Sequence, residues 1–455
     1  MNKDIKTILT MKNPWWQSKI AVPETPPTER DVVQEVENNL TTGRALLLIG
    51  PRQSGKTTAM LQVIRHLLTF VDPFTIVYAP MDALKDVSIH DVITTHQELT
   101  AKTKKIYYFF DEIHYDRNWS VHLKTLVDAR KEHYYCATGS SSTLLLKDAT
   151  ESGIGRFLFK SIFPLSFREY TSMTGVKPNL TFSLQNDIGQ MLNKEMLLLS
   201  ELQRLEPVFQ RYLLMGGFPA QLSQTYDLSS WQSNLRQNYV SLTIYKDVLS
   251  RYEVRDPGIL EDLLYLVSEK TSLPLSYDSI AESFHITLET ARTYLNYLEA
   301  AGLLVTCEYF TKNVLKRARR NKKFYLIDPG FNAALSYETT LSDALTSKNV
   351  EAAVAVHVSS YLRRQTGLLH PPLFYWKEKH EVDFIVQFAG KIIAIEVKYK
   401  KDIEENDLDG IREFMENFKL KTGIVITKNI FERRITKGKE LFLIPAPVFL
   451  ASLSE

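Results

Sequence analysis

Only two cysteines, Cys136 and Cys307, occur in the 455 residues, and they lie far apart. Their scarcity excludes a disulfide framework and a cysteine-ligated zinc site, and fits a reducing interior. No apolar run approaches the ~20 residues needed to cross a bilayer. The opening MNKDIKTILTMKNPWW has no apolar stretch of the kind that marks a secretory signal. The expectation is a cytoplasmic protein without membrane insertion. An excess of charge of one sign is missing too: 55 basic against 53 acidic residues leave a net +2. That total argues neither for nor against a polyanionic partner, so local charge must decide. Internal repeats and long low-complexity tracts are also absent.

At roughly 150 residues per domain, the length suggests about three domains. After a lead-in over 1–40, with prolines from Pro23 to Pro27, short apolar runs alternate with amphipathic segments. The runs are Ala45–Ile49, Thr75–Ala79, Ile106–Phe110 and Tyr134–Ala137. Between the first two, Met60, Val63, Ile64, Leu67 and Leu68 recur at helical spacing. Such alternation implies an α/β fold with a parallel sheet covered on both faces, over 41–170. A mostly helical region follows over 171–255, within which Thr171–Asn186 is the most loop-like stretch. A helix-turn-helix pattern covers 256–330, and a second α/β pattern covers 331–455.

Gly50-Pro51-Arg52-Gln53-Ser54-Gly55-Lys56-Thr57, followed by Thr58, fits the phosphate-binding pattern G-x-x-x-x-G-K-[ST]. It follows the apolar run ALLLI and opens an amphipathic helix, the context the motif requires. Its glycines let backbone N–H groups close round phosphates at a helix N-terminus, which favours anions. Lys56 would neutralise the β and γ phosphates of ATP, and Thr57 would offer a hydroxyl to Mg2+. Downstream, the apolar run into Asp111-Glu112 ends in two carboxylates. Asp111 is placed to reach the Mg2+ and Glu112 to polarise an attacking water. The next run, YYCATG, ends in Thr138, Gly139 and Ser140–Ser142, and any of these hydroxyls could hold that water. Arg156 is a candidate trigger on the γ-phosphate, within the subunit or from a neighbour, so an oligomer is compatible with the motif set. A solvated loop arginine is an equal alternative.

GPRQSGKTT, FFDEIHY, ATGSSSTLL, GRFLFKSIFPLSFREY and LLMGGFPA, in this order, resemble prokaryotic AAA-type ATPases that end in a restriction-endonuclease-like domain of unknown function. The resemblance covers most of the chain from about residue 40. It implies ATP binding and a nuclease-like C-terminal fold, and supplies no known substrate. In the lead-in, the NPWW at 13–16 is placed to pack on the ATPase domain, with an adenine contact as a second candidate role.

Residues Ser276–Val305 show two helices with a turn at His285. The second turns Ala291, Tyr294, Leu295 and Leu298 inward and stops at Gly302. LLVTCEYF and KKFYLID then read as two wing strands, making the region a winged helix. Between them lie Lys312, Lys316, Arg317, Arg319 and Arg320, extended by Lys322 and Lys323, and no acid falls between Glu308 and Asp328. This basic stretch makes DNA a candidate partner through phosphate contacts. The presumed reading face holds Thr287, Glu289, Thr290, Arg292, Thr293 and Asn296, a poor set for reading bases.

VDFIV and KIIAIEVK, joined at Ala389-Gly390, form a hairpin pattern. Strand alternation puts Glu381 and Asp383 on one face and Glu396 and Lys398 on one face. If those faces coincide, Asp383 and Glu396 converge as oxygen ligands for Mg2+, and Lys398 could steady an attacking water. The D-x12-E-x-K spacing resembles restriction-endonuclease-like enzymes. Glu351, opening an apolar helix, matches the further acidic residue such domains place near the metal. No proline precedes Asp383, a departure from that pattern. Two readings result. One is an ATPase that delivers a nuclease to DNA. The other is an ATP-driven switch whose C-terminal fold is a scaffold for a protein partner.

Overall fold

The computed structural model describes the chain apart from residues 1, 19–20, 101–104, 130–131, 140–154, 185–194, 224–225, 251, 437 and 454–455. It falls into two compact units, Met1–Ile162 and Phe163–Glu455. Among the described residues, no helix is long and apolar enough to cross a membrane.

The first unit is built on a parallel five-stranded sheet of order β2-β3-β4-β1-β5. The strands are β1 (Ala45–Ile49), β2 (Ile76–Pro80), β3 (Tyr107–Asp111), β4 (Tyr134–Gly139) and β5 (Phe157–Ser161). The first four match the apolar runs to within a residue or two. Every residue of β1 and β2 is buried, as strands covered on both faces must be. Helices α1 (Asn2–Lys12), α2 (Val32–Leu40), α3 (Lys56–Leu67), α4 (Ile89–Leu99) and α5 (Trp119–Ala129) complete this unit.

NPWW does something other than meet a base. β2 is an edge strand, and its outward backbone groups need partners. Trp15 and Trp16 both donate their indole N–H to the Ile76 carbonyl, at 3.1 and 2.9 Å. Asn13 accepts from the Tyr78 N–H at 2.7 Å and donates to the Tyr78 carbonyl at 2.8 Å. The lead-in therefore closes the sheet edge, and both indoles are spent on it. Farther on, Gln62 of α3 donates to the Thr28 carbonyl at 2.9 Å, tying the proline-containing stretch to that helix.

The second unit holds a mixed eight-stranded sheet of order β12-β13-β11-β10-β9-β8-β6-β7. Its strands are β6 (Leu304–Tyr309), β7 (Lys323–Leu326), β8 (Leu373–Lys377), β9 (Glu381–Phe388), β10 (Lys391–Lys398), β11 (Thr422–Thr427), β12 (Glu432–Thr436) and β13 (Lys439–Pro445). The sequence pattern separates a helical region, a helix-turn-helix and a terminal α/β region. In the folded unit one core runs from Leu165 to Ala451 across all three. β6 and β7 pair antiparallel, as wing strands would, but β6 also pairs parallel with β8 and joins the terminal sheet. The connection between β6 and β7 contains a helix, Val314–Arg319.

The helix-turn-helix lies at Tyr277–Ser283 and Leu288–Ala300, with Ala291, Tyr294, Leu295 and Leu298 buried. His285 makes the turn at φ 53° and Gly302 ends the second helix at φ 76°. Part of the loop-like stretch is anchored: Leu180, Phe182 and Leu184 are buried, and Phe182 N–H donates to the Ser452 carbonyl at 2.8 Å. The LLMGGFPA motif is a close approach. A Cβ on Gly216 would lie 1.8 Å from Asp328 Oδ1, and one on Gly217 would lie 2.3 Å from the Leu165 carbonyl oxygen.

Candidate nucleotide site and C-terminal acidic cluster

The strand order places β4 between β1 and β3, so three neighbouring strand ends meet at one edge of the first unit. β1 delivers the loop Gly50–Gly55, β3 delivers Asp111 and Glu112, and β4 delivers Thr138. Gly50 is demanded by packing, since a Cβ there would lie 2.0 Å from the Ile162 carbonyl oxygen. Gln53 and Gly55 take positive φ, at 57° and 96°, which curls the loop before α3 begins at Lys56. The buried Lys56 ammonium donates to the loop carbonyls of Pro51 at 2.8 Å and Gly50 at 3.1 Å. Ser54 Oγ is buried and has no hydrogen-bond partner among the described residues. Arg30, not foreseen from the sequence, donates to the Ser54 carbonyl at 2.5 Å and braces the loop from the lead-in.

Asp111 is the hub. Thr57 Oγ1 lies 3.0 Å from both of its oxygens, Tyr78 Oη donates to it at 2.9 Å, and Thr138 Oγ1 makes a short hydrogen bond to it. Burial first, and then the Asp111 charge, hold the Tyr78 phenol well above its ordinary value, so it stays a donor. Thr138 Oγ1 also accepts from the Glu112 N–H at 2.8 Å. It is thus the β4 hydroxyl that lies between the two motifs; Ser140–Ser142 fall outside the described residues. Glu112 adopts a left-handed backbone, φ 52°, and its carboxylate lies 3.2 Å from His114 Nδ1. A buried serine hydroxyl, an ammonium held against the loop carbonyls and a threonine-aspartate pair form a group set that fits a phosphate chain with Mg2+.

Arg156 is elsewhere. Its carbonyl accepts from the Ala45 N–H at 2.9 Å, at the start of β1, whereas the phosphate loop leaves the end of β1. A strand's length, roughly 13 Å, separates them. Its guanidinium pairs with Asp128 at 2.9 Å. The expected reach to a γ-phosphate within the same subunit fails on this topology.

In the second unit, Ala389 and Gly390 both take positive φ, at 49° and 75°, and close the tight turn between β9 and β10. The register that pairs Ile395 with Phe384 sets Glu396 beside Asp383. Val397 N–H donates to Asp383 Oδ2 at 2.8 Å, and Asp383 N–H reaches Glu396 Oε2 at 3.4 Å. Glu396 pairs closely with Lys398. Glu351 approaches the same cluster and accepts from Tyr325 Oη at 2.7 Å. The convergence expected of the hairpin is there, but its centre is a lysine. Lys323, read from the sequence as an extension of the basic wing, is fully buried. Its ammonium lies 2.6 Å from Glu381, 3.5 Å from Glu351 and 3.6 Å from Asp383. Burial alone would lower its proton affinity, but Glu351, Asp383 and Glu381 outweigh that and hold it above the ordinary lysine value. Burial, then Asp383, push Glu351 and Glu396 up. Among the described residues, no group of three or more His, Cys, Asp or Glu is arranged to hold a metal ion.

The basic segment is partly neutralised from outside its own sequence. Glu308 lies 2.7 Å from Lys322 and 3.6 Å from Arg317, and Glu378 lies 3.7 Å from Lys316. Arg320 stacks over Tyr309 at 4.9 Å. Arg319 and Lys312 are exposed and have no ion pair among the described residues.

Residues 42–171 match the AAA domain family. Residues 206–342 and 348–449 match two domains of unknown function, DUF8612 and DUF4143. The chain therefore carries an AAA-type P-loop ATPase domain joined to a C-terminal domain of unknown function. An uncharacterized protein of Methanocaldococcus jannaschii is 28% identical over 396 residues, covering 84% of this chain and 80% of its own. Another from that organism is 25% identical over 434 residues, covering 92% and 91%. An uncharacterized protein of Haemophilus influenzae is 21% identical over 415 residues, covering 88% and 92%. Among solved structures, a Walker-type ATPase of Pyrococcus abyssi aligns with a TM-score of 0.43 at 13% identity, covering 70% of this chain and 99% of that one.

Proposed function

We propose that the protein is a cytoplasmic, Mg2+-dependent ATPase that engages DNA through the basic segment beside its helix-turn-helix. The observation that carries the ATPase reading is Asp111, held by Thr57, Tyr78 and Thr138 at the mouth of the phosphate loop. Mg2+, when bound, neutralises charge on the β and γ phosphates. Thr57 and Asp111 are the residues that would hold it. Lys56 would exchange the carbonyls of Gly50 and Pro51 for phosphate oxygens, and the loop from Gly50 through Thr58 would wrap them. Glu112 orients the attacking water, with its backbone pinned by Thr138. Any role of Arg156 on the γ-phosphate would then belong to a neighbouring subunit in an oligomer. The helices at 277–300 with β6 and β7 are read as a winged helix that contacts DNA phosphates through Lys316, Arg317, Arg319 and Arg320.

A second reading is favoured by Lys323: an ATP-driven switch whose nuclease-like domain is a non-catalytic scaffold for a protein partner. Under it, Glu351, Asp383, Glu396 and Lys398 form a structural ion cluster.

The test of the ATPase reading is turnover and nucleotide binding of two variants. Lys56→Ala should abolish binding or turnover. Glu112→Gln should retain ATP binding and lose hydrolysis by roughly 10²–10⁴-fold, as removal of a general base does. Full turnover in Lys56→Ala would remove the reading.

A further inference from the structure

We infer that the Lys323 ammonium takes the cation position of the C-terminal acidic cluster, so that this domain is assembled round its own lysine and holds no divalent metal. The argument is one of space, valence and tether. An ammonium has three N–H donors. Three carboxylates surround this one, Glu381, Glu351 and Asp383, and none of the lysine is exposed. Mg2+ demands oxygens at about 2.0–2.1 Å in a near-octahedral shell and usually keeps several waters. The same oxygens cannot close on such an ion while an ammonium stands among them.

Lys323 cannot easily step aside. It begins β7, where it pairs with Cys307 of β6, and its neighbour Lys322 bridges to Leu275. Withdrawing the side chain means peeling an edge strand from the sheet. The rest of the cluster is also committed. Glu396 is engaged by Lys398 from its own strand, Asp383 by the Val397 N–H, and Glu381 by Lys377 at 2.8 Å. Removing the ammonium would leave buried carboxylates facing one another without their central counter-charge, a costly arrangement unless another cation enters. The lysine thereby ties the end of the basic segment to the hairpin of β9 and β10, and the nuclease-like pattern D-x12-E-x-K is retained as a rigid joint.

The test titrates nucleotide-free, full-length protein with Mn2+ and reads bound ion by electron paramagnetic resonance. Wild type and Asp383→Asn should bind the same number of Mn2+ ions, since any ion at the phosphate loop is common to both. Lys323→Met should gain one Mn2+ site, and Lys323→Met/Asp383→Asn should lose it again. A wild-type site that disappears in Asp383→Asn overturns the inference. So does a folded Lys323→Met that gains none. If Lys323→Met does not fold alone, Lys323→Met/Glu381→Gln removes one carboxylate with the ammonium and takes its place in the same comparison. No ATP turnover is read, so this outcome is separate from the fate of the ATPase reading.

Discussion

Tyr78 reaches Asp111 from β2, a strand that contributes nothing to the phosphate-loop motif or to the acidic pair. Its hydroxyl fixes the same oxygen, Oδ2, that Thr57 approaches. Removing it should loosen the carboxylate without opening a cavity larger than one oxygen. Tyr78→Phe should cut turnover about tenfold, the effect of one hydrogen bond to a charged group. It should also raise the Mg2+ concentration needed for half-maximal rate, with little change in melting temperature. An unchanged Mg2+ dependence would mean Tyr78 only packs. Lys56, Thr57, Asp111 and Glu112 are legible in the sequence because two short linear motifs carry them. Tyr78 and Arg30 are not, because only the strand order and the fold of the lead-in bring them to the site. Lys323 departs from its local pattern for a related reason: the sequence around it is a run of bases, while the acids that surround it lie at 351, 381 and 383.

Elements show where local pattern suffices and where pairing decides. The hairpin of β9 and β10 follows from two apolar runs and a turn that tolerates positive φ. The helix-turn-helix follows from periodicity. The union of β6 with β8 does not, because a parallel pair between Glu308 and Phe374 crosses more than sixty residues of chain. The same nonlocal logic operates at Asp328, which caps the Pro329–Leu335 helix and accepts from the Gly330 N–H at 2.8 Å and the Gly217 N–H at 2.7 Å. Burial raises its carboxyl from 3.8 to about 7, and the two N–H donors offset only part of that. Below pH 3.8 the acid is protonated folded or unfolded. Between there and about 7 the unfolded chain ionises first, so this group's contribution to stability falls as pH rises, by on the order of 4 kcal/mol in all. Melting curves of wild type and Asp328→Asn, taken from pH 5 to pH 8, should converge or cross as pH rises. Parallel curves would mean that Asp328 ionises normally in the fold. The difference between the two proteins is needed because His357 slopes the other way. Burial lowers it to about 4, and its Nε2 must stay bare to accept the Phe167 N–H at 2.8 Å.

For the whole molecule, near-neutral net charge makes any attraction to DNA a matter of where charge is left free. The segment between β6 and β7 looked uniformly basic in sequence. In the fold, Glu308 and Glu378 stand beside Arg317 and Lys316, while Arg319 and Arg320 have no ion pair among the described residues. Phosphate contacts release counterions, with a slope of about −0.9 per contact in log affinity against log salt. Replacing Lys316, Arg317, Arg319 and Arg320 together by alanine should weaken DNA binding and flatten that slope. The double variant Arg319→Ala/Arg320→Ala should account for most of the change, up to about two contacts' worth. Lys316→Ala/Arg317→Ala should do less, since Glu378 and Glu308 already offset part of the charge of those two side chains. If the protein engages DNA as proposed, DNA added to the wild type should raise ATP turnover, because DNA contact and ATP hydrolysis serve one activity only if they are coupled. Binding that is insensitive to all four changes would move the contact surface elsewhere. Binding without stimulation of turnover would favour the switch, with the Lys323 joint carrying the signal to a protein partner.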